Sequence, residues 1–239
     1  MKIKLLLLLA ILTGCGNSKV ERSDYLEVTG RIDEKMVAEV AKNIHKIHSL
    51  VITSQGGETS SAIELARMIY DNKVNVIVKK YCLSACAQLI LPSAKTIEFV
   101  DKPILGLHHS ATSILEFSKL QNYADANDLS QQLSEKEQTF FKYIGLNLDI
   151  AEEPIHYLEI SCFFEKGGYP GVGSKWGFLV PSPSTYKKWI NKDYTGEFAS
   201  TNSEILTSVR KYIPQQVSMT LVTEEQASWR PLSAVPKCS

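Results

Sequence analysis

One serine stands midway between two cysteines in the run Tyr81-Cys82-Leu83-Ser84-Ala85-Cys86, and two adjacent histidines, His108 and His109, follow it further on. Ahead of it lies a glycine pair, in Ile52-Thr53-Ser54-Gln55-Gly56-Gly57. A hydroxyl, an imidazole and paired glycines are parts of an acyl-transfer site. Such a site needs a hydroxyl whose proton a nearby base takes, a third group that orients the base, and backbone N–H donors aimed at the developing oxyanion. Ser84 sits where a strand gives way to an apolar helix, near a helix N-terminus with free N–H groups. Gly56 and Gly57 permit close backbone approach. The candidate oxyanion donors are therefore the N–H of Gly57 and that of Ala85, just after the serine. Read alone, the serine would be a helix cap and the glycines a turn. His45, His48 and His156 read as surface or packing residues.

These groups meet only if the chain returns on itself, and the hydrophobic pattern says that it does. Residues 25–29 read as a strand stopped by Gly30. Met36, Val37, Val40, Ala41, Ile44 and Ile47 form the stripe of a helix over 34–47. Residues 50–53 are a short strand ending at the glycine pair, and Ser60 or Ser61 opens a helix striped with Ala62, Ile63, Ala66 and Ile69. Residues 74–78 and 100–107 read as further strands, the second interrupted by Pro103. Strands alternating with helices predict an α/β core. One or two helices follow over 114–144, then a glycine-rich loop at 167–173. A boundary at Pro181-Ser182-Pro183-Ser184 precedes a tail of weak periodicity.

Composition narrows the class. The 239 residues are 44% hydrophobic and 22% charged, with 26 Lys plus Arg against 26 Asp plus Glu. A nucleic-acid binder would show a basic excess or stripe, and none is visible. Lys2 and Lys4 precede an apolar run at 5–12, far short of the roughly 20 residues of a spanning helix. The run ends in Leu12-Thr13-Gly14-Cys15, which resembles the lipobox of bacterial lipoproteins. That resemblance implies a signal peptide over 1–14, a lipid on Cys15, and a tether over 15–24. It places the protein at the extracytoplasmic, periplasmic face of a bacterial membrane. Four further cysteines, Cys82, Cys86, Cys162 and Cys238, then sit in an oxidising compartment with three possible pairings. Cys82 with Cys86 would staple the serine's turn. Cβ atoms four apart on a helix are roughly 5–6 Å distant, against roughly 3.5–4.5 Å in a disulfide. A Cys82 ahead of the helix start would relieve that gap.

In order, the segments resemble the proteolytic subunit of the Clp protease. Leu26-Glu27-Val28-Thr29-Gly30-Arg31-Ile32-Asp33 resembles its opening strand and turn, and residues 52–57 resemble its Ser-Pro-Gly-Gly loop. Residues 81–86 fall where the family carries its nucleophile, and Leu105-Gly106-Leu107-His108 where it carries its histidine. The likeness spans 25–180 and is nearest to periplasmic ClpP-like proteins with a Cys-x-Ser-x-Cys segment. It implies a ClpP/crotonase-like fold of repeated ββα units over 25–182, with 183–239 as a C-terminal extension. It also implies a serine hydrolase, a peptidase acting without ATP on a peptide or acyl substrate, with no metal and no cofactor. Ser84 would be the nucleophile and His108 the base. Adjacent strand residues face opposite sides, so only one of the two rings would face the site: the Leu-Gly-Leu-His pattern favours His108, and a one-residue register shift would make it His109. Gln55 replaces the family proline. The family's acid lies ahead of a segment resembled by Trp176-Gly177-Phe178-Leu179-Val180, which makes Glu159 the candidate and Asp149 the other carboxylate in the window. Clp-type subunits form rings, so a homo-oligomer is one possibility. The rival readings are a binding or scaffold lipoprotein of the same fold without catalysis, and a crotonase-type acyl-CoA enzyme. An extracytoplasmic location disfavours the latter.

Overall fold

In a computed structural model the described residues are 23–120, 128–166, 169–175, 177–213 and 220–236. β1 (Ser23–Thr29) leads through α1 (Glu34–Asn43) to β2 (Ile47–Ser54), and α2 (Thr59–Asp71) carries the chain to β3 (Asn75–Leu83). A π-turn over Cys86–Ile90 and the short α3 (Leu91–Ser93) precede β4 (Ile97–Phe99) and β5 (Ile104–Gly106). Next come α4 (Ala111–Leu120), α5 (Asp128–Tyr143) and α6 (Asp149–Glu152), then β6 (Ile160–Lys166), β7 (Tyr169–Ser174) and β8 (Phe178–Val180). α7 (Pro183–Ile190), β9 (Tyr194–Gly196), α8 (Asn202–Tyr212) and β10 (Leu221–Thr223) complete the order.

Among the described residues, one six-stranded sheet runs β1-β2-β3-β4-β9, with β5 also paired to β3, and all its pairings are parallel. This is the expected α/β class, since parallel neighbours need crossovers and helices supply them. β3 serves two partners in succession: Val76, Ile77 and Val78 pair with β4, then Tyr81, Cys82 and Leu83 with β5. Its far end therefore lies beside the end of β5. Leu50, Val51 and Ile52 of β2 are buried, as a strand covered on both faces requires. The Asp33 carboxylate caps α1, accepting the N–H groups of Lys35 and Met36 at 3.0 Å each. Met36, Val37 and Val40 then turn inward.

Several boundaries differ from the sequence pattern. The helix expected over 34–47 ends at Asn43, because Ile47 is taken into β2 opposite Ser23. β3 does not stop at Val78 but continues through Lys79 and Lys80, whose polar side chains hide the strand, as far as Leu83. The stretch expected as a glycine-rich loop is strand β7 of an antiparallel hairpin with β6, apart from Gly167 and Gly168, which lie outside the described residues. Ser23 and Asp24, expected as tether, open β1. The leader, Cys15 and the rest of the tether lie outside the described residues, as does Cys238. No described helix is long and apolar enough to cross a membrane.

The boundary expected at residue 182 is not a structural one. β9 pairs with β4 in the central sheet, and β10 pairs with β8. Tyr186, Trp189, Ile190 and Phe198 belong to the same hydrophobic cluster as Leu50, Ile52 and Val78. The Tyr186 hydroxyl donates to the Ala87 carbonyl at 3.0 Å, just beyond the candidate nucleophile. The tail is short in strand and lacks alternation, so its part in the core shows only in three dimensions.

Candidate active site

The glycine loop leaves β2 at Ser54, whose hydroxyl donates to the Gly30 carbonyl at 2.6 Å and accepts the Gly56 N–H at 3.0 Å. Ile32 N–H donates to Gly56 O, and Glu58 N–H to Ile32 O, both at 2.9 Å. These bonds hold the loop on both sides of Gly57, whose own N–H has no partner among the described residues. Gly56 has φ +90°, and a Cβ on it would lie 2.5 Å from Ser84 Cβ. The glycine is therefore required twice, by conformation and by contact. Gln55, in place of the family proline, is exposed, and the hydrogen bonds of Ser54 and Ile32 hold the loop without it.

Ser84 follows β3 directly, with φ +56°, a left-handed conformation that is uncommon for a residue bearing a Cβ. Its N–H donates to Gly106 O at 2.8 Å and its carbonyl accepts Gln88 N–H at 2.9 Å. Both backbone groups are thereby tied to fixed elements. The Ala85 N–H, at the start of the following helical turn, has no partner among the described residues. A Cys82–Cys86 disulfide closes the turn around the serine, with Cα atoms 5.2 Å apart. Cys82 belongs to β3 rather than to the helix, which brings the pair within reach. Cys162 is also disulfide-bonded. Replacing both Cys82 and Cys86 by Ser should lower stability by about 2 kcal/mol, the loop-closure value for so short a ring. Denaturant melts of the variant, with peptide mapping of non-reduced wild type, check this. Free thiols at both positions would contradict the staple.

β5 delivers the histidines. Leu107 exchanges N–H···O bonds with Leu179, at 2.8 and 2.7 Å, and pins the chain to β8. The Gln88 side-chain amide donates to His108 O at 2.8 Å and to Ile150 O at 3.4 Å. The His108 ring meets the Phe178 ring edge-on at 5.2 Å, and its Nε2 lies 2.5 Å from Ser84 Oγ. The serine and histidine expected from sequence are thus in direct hydrogen bond, with both expected oxyanion donors beside them. A cavity of about 240 Å³ opens over the pair, lined by Gly57, Ala85, Leu89, Ile114 and Leu133 among others.

Neither carboxylate expected to orient the base is hydrogen-bonded to His108 among the described residues. His108 Nδ1 lies 3.2 Å from Nδ1 of His109, and no described carboxylate hydrogen-bonds to either ring. Glu159, the expected acid, pairs instead with Lys175 at 3.3 Å, and Asp149 accepts from the Asn147 side chain at 2.9 Å. The two rings do not face opposite sides, because β5 ends at Gly106 and the strand alternation ends with it. Both rings line the same cavity. Burial, with His109 as a lesser neighbour, lowers the His108 imidazole to about 3, and burial lowers His109 to about 4. Both are therefore neutral bases at physiological pH.

Two further residues carry the site without a sequence signal. Gln88 fixes the His108 backbone. Glu137 of α5 is buried on the cavity wall and accepts the Thr112 N–H at 2.9 Å at the start of α4. Burial raises its carboxyl above the ordinary value, opposed by hydrogen bonds from Thr112, Ser110 and Ala111. Among the described residues no group of three or more His, Cys, Asp or Glu side chains is placed to hold a metal ion.

No protein-family model matches the chain, and no curated protein matches it. Among solved structures it is similar to a variant of a membrane-bound stomatin-specific protease, with 14% identity over 85% of this chain and 97% of that one and a TM-score of 0.39. It is also similar to a variant of ClpP1 from Listeria monocytogenes, with 14% identity over 76% of this chain and 94% of that one and a TM-score of 0.42.

Proposed function

We propose that the protein is a ClpP-like serine hydrolase, a peptidase that works without ATP, anchored by a lipid on Cys15 at the extracytoplasmic face of a bacterial membrane. The observation that carries the reading is the Ser84 Oγ–His108 Nε2 contact of 2.5 Å, made beside the N–H groups of Gly57 and Ala85, which are unpartnered among the described residues. In this mechanism Ser84 Oγ attacks the acyl carbon while its proton passes to His108 Nε2. The carbonyl π-electrons move onto oxygen, and the oxyanion accepts hydrogen bonds from Gly57 and Ala85. Collapse of the intermediate breaks the C–N bond, and His108 returns the proton to the leaving amine. Water then enters by the same steps and frees Ser84. Cofactor and metal have no role in this sequence.

One feature favours the rival of a binding lipoprotein without turnover: no described carboxylate balances charge on His108. A panel of peptide and ester substrates, assayed without ATP on purified protein, decides between them. Turnover that depends on Ser84 is expected, whereas inertness toward every substrate favours the rival. For the anchor, mass spectrometry of the mature N-terminus should find cleavage before Cys15 and a lipid on its side chain. An unmodified N-terminus elsewhere would remove the anchor.

A further inference from the structure

We propose that His109 is the third member of the catalytic group, its Nδ1 accepting the Nδ1–H of His108 where other serine hydrolases place a carboxylate. The proposal rests on the serine-hydrolase reading above and follows from proton accounting. To take the Ser84 proton, Nε2 of a neutral His108 must present a lone pair, so its one ring proton lies on Nδ1. That N–H faces His109 Nδ1 at 3.2 Å. The His109 Nδ1 must then be the bare nitrogen, with its own proton on Nε2. This pair of tautomers is assigned from role and geometry. The two rings meet edge to face, with centroids 4.3 Å apart at 84°.

The backbone holds His109 for this task. On one side, Gln88 grips the His108 carbonyl. On the other, Ser110 and Ser113 cap α4 reciprocally: Ser110 N–H donates to Ser113 Oγ at 2.8 Å, and Ser113 N–H to Ser110 Oγ at 3.1 Å. Only one residue lies between these fixed points, and it is His109. Among the described residues, the titratable groups lining the cavity are His108 from the end of β5, His109 itself and Glu137 from α5. Glu137 is spent on the first N–H groups of α4, so among the described residues the ring of His109 is what remains for His108.

A neutral acceptor selects the tautomer and orients the base, as the triad carboxylate does. It supplies no negative charge to stabilise the imidazolium that forms on His108. Burial accordingly keeps the pair neutral down to acidic pH, with ordinary values of 6.5 lowered to about 3 and about 4. The acid limb of acylation should therefore lie near pH 3–4 rather than near 6.5. His109 is a positioning residue, and its substitution should change the pH profile as well as the rate.

The Nδ1 of His and the Oδ1 of Asn or Asp are each bonded to Cγ, so H109N and H109D keep an acceptor at the same reach, whereas H109L removes it. The readout is the rate of Ser84 acylation by a fluorophosphonate across pH, with thermal melts alongside. H109L should slow acylation by about 10²–10⁴-fold, and H109N should recover most of that loss. H109D, by charge, should raise the His108 value and move the acid limb to higher pH. Nitrogen NMR of wild type should find the ring proton of His108 on Nδ1 and that of His109 on Nε2. Wild-type rate and profile in H109L, with Ser84 still labelled, would overturn the role of His109 and leave the hydrolase reading standing. A His108 ring protonated on Nε2 would also overturn it. Wild type that resists labelling would overturn both readings together.

Discussion

Ser84→Ala should abolish hydrolysis and leave the fold in place. Among the described residues the hydroxyl makes one hydrogen bond, to His108 Nε2, while the residue's N–H and C=O are held by Gly106 and Gln88 and survive the change. Alanine also bears a Cβ, so the left-handed backbone is no more strained than before. Loss of a hydroxyl bond at a half-buried site costs about 0.5–1.5 kcal/mol. Loss of the covalent nucleophile costs about 10⁴–10⁶ in rate. The two scales separate catalysis from stability. His108→Ala should be nearly as damaging, and the double variant no worse than either, because nucleophile and base act as a unit. Substrate turnover measured beside thermal melts reads both quantities. An active Ser84→Ala protein would remove the mechanism, and additive losses would show that the two residues act separately.

Gly57→Ala should damage both fold and activity, for a steric reason. A Cβ at Gly57 would lie 2.0 Å from the Ile32 carbonyl oxygen and 2.7 Å from the Ile32 backbone nitrogen. Backbone cannot rotate away as a side chain can, so the glycine loop must move. The two bonds that tie Ile32 to the loop at 2.9 Å would be lost or stretched. Overpacking of about 1–3 kcal/mol and two backbone hydrogen bonds of about 0.5–1.5 kcal/mol each set the scale, a few kcal/mol in all. Displacing one oxyanion donor costs about 10²–10³ in turnover. Gly145→Ala is the control. It has φ +74° and open space around the added Cβ, so it pays backbone strain alone and should keep full activity. Equal behaviour of the two variants would show that Gly57 is only a turn residue.

The sequence made much of this site legible because its parts lie at strand ends marked by local signals. The glycine pair stops β2, Ser84 stops β3, and His108 follows β5, so a parallel order of these strands gathers them at one end of the sheet. The third group was not legible in the same way. Strand alternation allowed only one of the two rings at the site, yet the strand had already ended at Gly106. Glu159 rested on one resemblance, of residues 176–180 to a family segment, and such a likeness does not say which way a carboxylate turns; here it sits with Lys175. Gln88 and Glu137 act across helices, on partners distant in sequence, and carry no spacing that marks them. The tail was opaque for a related reason. β9 spans only Tyr194–Gly196, too short for a period, and gains its meaning from β4.

The most direct test of the central claim is intact-protein mass after exposure to a fluorophosphonate, followed by peptide mapping. A competent Ser84–His108 pair should give one stable adduct, mapped to Ser84 and absent from Ser84→Ala. Folded wild type that gains no mass, or an adduct of equal extent in Ser84→Ala, would contradict it.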